Sequence, residues 1–215
     1  PRATRLGVRR LQALLVGLGQ IGCGYDLGLP FHIDQPFSGP ATLSHARALV
    51  CNPHVQLLAA LDPLAAARER FSRCYNLPAY SDLDQLHQAM PDAHVDLVVL
   101  AVPAALQPSL VEALLEKLTP RLLLLEKPLA VSVAEAEQLR YACARQPELQ
   151  VAVNYIRRYL PPVLNLQQRL KEGALGHLLH GQVIYGKGLL SNGSHFVNLA
   201  EAWLGPLEAH SCLDP

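Results

Sequence analysis

The stretch "RLLLLEKPLA" at residues 121–130 sets an acid, a base and a proline at the end of four leucines. Such an apolar run suits a strand buried on both faces, with Glu126 and Lys127 emerging at its carboxyl end, where open α/β sheets bind ligands. Pro128 lacks a backbone donor and restricts the residue before it, so it governs how Lys127 leaves the strand. A positioned cation suits the oxidation of a secondary alcohol, in which hydride leaves carbon while the hydroxyl loses its proton and the oxygen needs a donor or a base. The alternative is an exposed lysine paired with Glu126.

A second motif lies upstream. In "VGLGQIGCG", Gly17, Gly19 and Gly22 have the spacing G-x-G-x-x-G directly after an apolar run. Glycines so placed allow a tight turn and close backbone approach to a pyrophosphate, favoured by the helix N-terminus that follows; Gln20 and Ile21 complete the turn. The alternative is a glycine-rich turn that binds nothing. Asp62 ends the second apolar run, where a carboxylate can accept from the ribose diol of NAD and would repel the 2′-phosphate of NADP. It stands 40 residues after Gly22, against the usual spacing of about 20. The segment "GYDLGLPFHIDQPFSGPATL", an insertion over about residues 24–42, accounts for the excess. It reads either as a cover for the cofactor or partner contact, or as a plain surface loop. Pro103 in "AVPAAL" sits at another strand end, where it either faces the same crevice or belongs to an ordinary β-to-α turn.

These motifs need a parallel sheet to converge, and the chain supplies one. Strands are predicted near 11–17, 55–61, 95–102, 121–125 and 150–154, alternating with helices near 43–51, 63–75, 82–90, 107–117 and 132–145. Ser132 and Glu135 form a capping-box start. Beyond residue 155 the pattern changes to a loop, an amphipathic helix ending at Gly173 or Gly176, a strand at 178–186, and a helix over 195–204 stopped by Gly205 and Pro206. The fold class is therefore α/β.

Composition narrows the partners. Half of the 215 residues are hydrophobic, and 18 Lys plus Arg balance 18 Asp plus Glu. No global field favours nucleic acid or an anionic membrane, and a small ligand fits better. The five cysteines are scattered without a C-x-x-C pair, which points to a reducing cytoplasm rather than a disulfide or zinc framework. His177 and His180 are the tightest histidine pair, and no metal site is expected there. Arg2, Arg5, Arg9 and Arg10 precede "LQALLVGLG" in the manner of a signal peptide, but the run is short and glycine-interrupted.

Taken in order, "VGLGQIG", "ALDP", "AVP", "EKPLA" and "NYIRRYLP" resemble the glucose-fructose oxidoreductase / inositol 2-dehydrogenase family over nearly all of residues 11–205. The resemblance implies an N-terminal Rossmann domain with a doubly wound parallel sheet and part of a C-terminal α/β domain. The chain divides accordingly into residues 1–130, the dinucleotide-binding domain, and 131–215, a linking helix, the last Rossmann strand and a shortened substrate or oligomerisation domain. It further implies NAD or NADP, with Asp62 favouring NAD, and a polyol, sugar or cyclitol substrate.

By the same resemblance Lys127 lies beside nicotinamide and substrate, its bond to Pro128 often being cis, with Glu126 and Pro128 at the cofactor. In "NGSHFVNL", His195 matches a substrate-facing histidine, the alternative being a helix-capping or packing one, while Ser191 stands where the family usually has an aspartate; Asn192 offers a polar contact instead. Arg157 or Arg158 would meet substrate oxygens, or else form a solvated turn. Gln107 stands where the family often carries a histidine. Family members usually exceed 300 residues, so the chain is expected to be a fragment, a short member completed as a homo-oligomer, or a form retaining only the nucleotide fold. The reading is an oxidoreductase acting on a sugar-like CH–OH group; its rival is a nucleotide-binding sensor or assembly subunit without turnover.

Overall fold

The computed structural model describes residues 9–28 and 42–208. It forms two compact units, residues 1–153 and 154–215. The first extends past residue 130, because the helix and strand that follow "EKP" complete its sheet rather than begin a new body.

Six parallel strands build that sheet: β1 (Leu11–Val16), β2 (Val55–Leu61), β3 (Ala79–Tyr80), β4 (Leu97–Leu100), β5 (Leu122–Leu125) and β6 (Gln150–Val153). Their order is β3-β2-β1-β4-β5-β6, so the chain winds outward one way from β1 and the other way from β4. The doubly wound Rossmann arrangement follows, with its switch point between β1 and β4. Of these strands only β3 escaped the sequence reading, because two residues leave no periodicity to read.

Helices α1 (His45–Cys51) and α2 (Ala65–Tyr75) belong to one half of the winding; α3 (Leu83–Ala89), α4 (Gln107–Lys117) and α5 (Val133–Ala144) belong to the other. Alternating side chains of β1 serve opposite layers. Ala13 and Leu15 pack with Ala46, Leu49 and Phe71, whereas Leu14 and Val16 pack with Val111, Leu114 and Leu139. Strands covered on both faces need no polar alternation, which is why β1, β4 and β5 read as unbroken apolar runs. The "LQALLV" run after the arginines is the central strand. In "RLLLL", Leu123 and Leu125 are buried on one face while Leu124 packs toward the other.

Local signals set the helix ends. Ser132 Oγ accepts the Glu135 N–H at 3.2 Å, and Glu135 returns a carboxylate oxygen to the Val131 N–H at 3.0 Å, one residue earlier than a strict capping box. Asp82 caps α3 through the Gln85 N–H.

The second unit holds α6 (Pro161–Lys171) and α7 (Ser194–Leu204), the latter preceded by a wide helical turn at Leu189–Gly193 and ended by Gly205 at φ +90°. Residues 178–186, expected as a strand, are not one. A strand exists only through a hydrogen-bonded neighbour, and the described residues offer this segment no ladder. Its Leu179 and Ile184 are largely exposed. No helix among the described residues is long and apolar enough to cross a membrane.

Candidate cofactor and catalytic site

At the switch point the three glycines of the G-x-G-x-x-G turn have different work. Gly17 takes φ +95°, and a Cβ there would lie 2.5 Å from the Ala101 carbonyl oxygen at the end of β4. A Cβ on Gly22 would run into the Gly17 carbonyl oxygen. Both residues thus let backbone meet backbone. Gly19 is different: a Cβ there would meet nothing within 4 Å. The turn leaves space above Gly19, and the N–H groups of residues 19–22 donate to no backbone carbonyl among the described residues. Undonated N–H groups at the start of a helical turn form an anion site. A dinucleotide pyrophosphate fits it.

The helix that normally continues from such a turn is split here. The Cys23 and Gly24 N–H groups reach back to the Gly19 carbonyl, the chain departs, and the helical bonding resumes from the far side: His45 N–H donates to Ile21 O at 3.0 Å and Ala46 N–H to Gly22 O at 2.8 Å. The expected insertion is therefore spliced into the first helix. Residues 29–41 of it lie outside the described residues. Its base is tied by Asp26, fully buried, which accepts the Ser44 N–H at 2.7 Å, the Ser44 hydroxyl at 2.5 Å and the Leu43 N–H at 3.0 Å. Arg47, also buried, donates to the Asp26 carbonyl at 2.8 Å.

Asp62 turns its carboxylate back onto the glycine turn. One oxygen accepts the Leu18 N–H at 2.8 Å and the other the Leu64 N–H at 2.8 Å. Each oxygen has two lone pairs, so acceptor capacity for a ribose diol remains. Gln20 and Ile21 are exposed on the turn, and Pro103 is exposed after β4.

After β5 the chain makes the Lys127–Pro128 bend with a cis peptide bond. Glu126, buried, accepts from His45 Nε2 at 2.8 Å and, through its other oxygen, from the Lys127 N–H at 3.3 Å. Lys127 and Pro128 are half-buried. His45 therefore ties two motifs together: its backbone continues the glycine turn and its ring holds the "EKP" turn. Sequence reasoning missed it, because the insertion separates it from Gly22; removing residues 24–43 from the count would have brought it three residues away. Gln107, fully buried at the start of α4, donates its amide to the carbonyls of Glu126 at 2.8 Å, Pro128 at 2.9 Å and Leu129 at 3.3 Å.

In the second unit His195 is buried, with the Tyr155 ring edge-on to it at 5.6 Å between centroids. The Arg157 guanidinium lies 5.3 Å from the centre of the Phe196 ring, which Tyr185 stacks upon. "NYIRRYLP" and "SHFVNL" thus come together within this unit. Arg158, Ser191 and Asn192 are half-buried. Among the described residues no group of three or more His, Cys, Asp or Glu side chains could hold a metal ion.

The switch-point turn with its open anion cradle and the acidic end of β2 define a dinucleotide-binding protein of Rossmann type. A family model described as "Oxidoreductase family, NAD-binding Rossmann fold", Gfo/Idh/MocA, matches residues 11–155, and the chain belongs to that family. No curated protein matches it. Among solved structures, it is similar to myo-inositol 2-dehydrogenase from Lactobacillus plantarum (TM-score 0.61, 19% identity, covering 80% of this chain and 44% of that one). An oxidoreductase from Agrobacterium radiobacter in complex with NAD+, L-tartaric acid and magnesium is similar at TM-score 0.66 and 20% identity, covering 91% and 55%. The WlbA dehydrogenase from Bordetella pertussis, in complex with NADH and UDP-GlcNAcA, is similar at TM-score 0.66 and 18% identity, covering 92% and 56%. The chain spans about half the length of these proteins.

Proposed function

We propose that the protein is an NAD(P)-dependent oxidoreductase that moves hydride between nicotinamide and a hydroxyl or keto carbon of a sugar, sugar derivative or cyclitol. The observation that carries this reading is the junction at His45, which joins a glycine turn fit for pyrophosphate to the turn bearing Lys127. A bound nicotinamide supplies the hydride acceptor or donor. Gly17, Gly19, Gln20, Ile21 and Gly22 hold the pyrophosphate, with Pro103, Glu126 and Pro128 bordering the cofactor. Asp62 receives the ribose diol and so favours NAD over NADP.

Lys127 handles the substrate proton and the charge developing on its oxygen, and His195 of the second unit is a further catalytic group. Arg157, Arg158 and Asn192 contact the remaining polar groups of the substrate. A homo-oligomeric assembly belongs to the same reading.

The test is an NADH fluorescence titration followed by a screen of sugars and cyclitols for reduction of NAD and NADP. Lys127→Met keeps NADH affinity and lowers kcat by about 10²–10⁴-fold, the usual worth of one proton-handling group. Unchanged turnover in this variant removes Lys127 from the chemistry. Tight NADH binding without turnover across the panel selects instead a nucleotide-binding sensor or assembly subunit.

A further inference from the structure

The backbone of the turn that carries Lys127 is held from outside the turn as well as within it. Beyond Leu125 the ladder between β4 and β5 has ended, Pro128 has no N–H, and the carbonyls of Glu126, Pro128 and Leu129 still need donors. One side chain serves all three. Gln107 Nε2 lies 2.8, 2.9 and 3.3 Å from these oxygens, on both sides of Lys127 in the chain. The amide orientation is fixed by its neighbours, since the reversed amide would set its oxygen against three carbonyl oxygens. In that orientation Gln107 Oε1 is buried without a hydrogen-bond partner among the described residues. Leaving an acceptor unpaired is unfavourable, so this position keeps the donor despite the cost of its other end, as a side chain serving only to fill space would not.

We propose that Gln107 is the positioning residue of the "EKP" turn, fixing the backbone on either side of Lys127 so that its amine meets the substrate oxygen. This rests on the reading of Lys127 as the proton-handling group, and it gives Gln107 a donor role that a histidine ring N–H could also fill.

Three variants test it: Gln107→Leu removes the donor, Gln107→Glu opposes the carbonyls with a carboxylate, and Gln107→His returns one N–H. Hydrogen–deuterium exchange is read at 126–131 and, as an internal reference, at 97–101 in β4, alongside NADH titration and turnover. The Leu and Glu variants should exchange about tenfold faster at 126–131 with β4 unchanged. NADH affinity should stay within about threefold, while kcat falls ~10²-fold with little change in KM, the loss expected of a misplaced reacting group. Gln107→His should restore most of both the protection and kcat, and adding Gln107→Leu to Lys127→Met should cost no further turnover.

Unchanged exchange at 126–131 in Gln107→Leu, or a turnover loss that adds fully to that of Lys127→Met, overturns the assignment. Should the Leu and Glu variants fail to fold, Gln107→His decides alone: wild-type protection at 126–131 supports the role and its loss refutes it. Absence of wild-type turnover on every substrate would defeat the oxidoreductase reading, while the exchange measurement still decides whether Gln107 fixes this turn.

Discussion

Substituting the three motif glycines one at a time separates folding from cofactor binding. At Gly19 the φ angle lies outside the left-handed region and a Cβ meets no atom within 4 Å. Alanine is therefore accommodated by the folded chain and lowers the entropy of the unfolded one, a gain of about 0.4–1 kcal/mol. For a domain of this size that is a rise in Tm of no more than about 4 °C. The added methyl, however, occupies the space through which a pyrophosphate would reach the N–H groups of residues 19–22. Losing one charge-assisted hydrogen bond, worth about 1.5–3 kcal/mol, raises the Kd for NADH roughly 10- to 150-fold.

Gly17→Ala and Gly22→Ala behave in the opposite way. The first puts a side chain at φ +95° and 2.5 Å from a carbonyl oxygen, and the second collides with the Gly17 carbonyl. Backbone handedness alone costs about 1–2 kcal/mol at Gly17, and overpacking costs about 1–3 kcal/mol at Gly22. Urea melts and NADH fluorescence titrations on the three variants provide both readings. Wild-type NADH affinity in Gly19→Ala, at unchanged stability, would show that no phosphate sits in this cradle.

Other consequences concern the scaffold. Asp26→Ala removes three accepted hydrogen bonds and the carboxylate that lies 3.8 Å from the Arg47 guanidinium; a loss of about 1.5–3 kcal/mol is expected in urea melts. Excising residues 24–43 joins Cys23 to Ser44 and should preserve fold and NADH binding once Arg47 is also replaced by Met, because the bonds from His45 and Ala46 already continue the helix; a variant that binds no NADH would assign the insertion a part in the site. Burial of Asp96 pushes its carboxyl up, but the Gln12 N–H, His94 and Arg9 outweigh this and hold it below the usual range. With the folded value depressed, its stabilisation is present above the unfolded value of about 3.9 and is lost as pH falls through the folded one. The stability difference between wild type and Asp96→Asn should thus be largest near neutrality and shrink toward pH 3 in urea melts.

What could be read from the chain depended on whether the controlling interactions were local. Burial on both faces leaves its mark in consecutive residues, so β1, β4 and β5 were visible as apolar runs, and Ser132, Asp82 and Gly205 punctuated helices within a turn of themselves. Residues 178–186 failed because a strand is a property of two segments, and the second is not written in the first. The same distinction explains the site. The three glycines are adjacent and legible. The groups that hold the "EKP" turn come from 81 residues away in the case of His45 and 19 in the case of Gln107.

The helical bonding itself shows how His45 became hidden. His45 donates to Ile21 and Ala46 to Gly22, as residues four apart do in a helix, so helical counting treats residues 24–43 as absent. Subtracting those twenty residues also reduces the 40-residue interval from Gly22 to Asp62 to the usual spacing of about 20. The hydrogen bonds locate the splice, and the chain length agrees with its size. It falls in the first turn of a helix whose far end still packs Leu49 into the core, and the buried Asp26–Ser44–Arg47 cluster lies at the join, where its bonds hold the two ends of the insertion together.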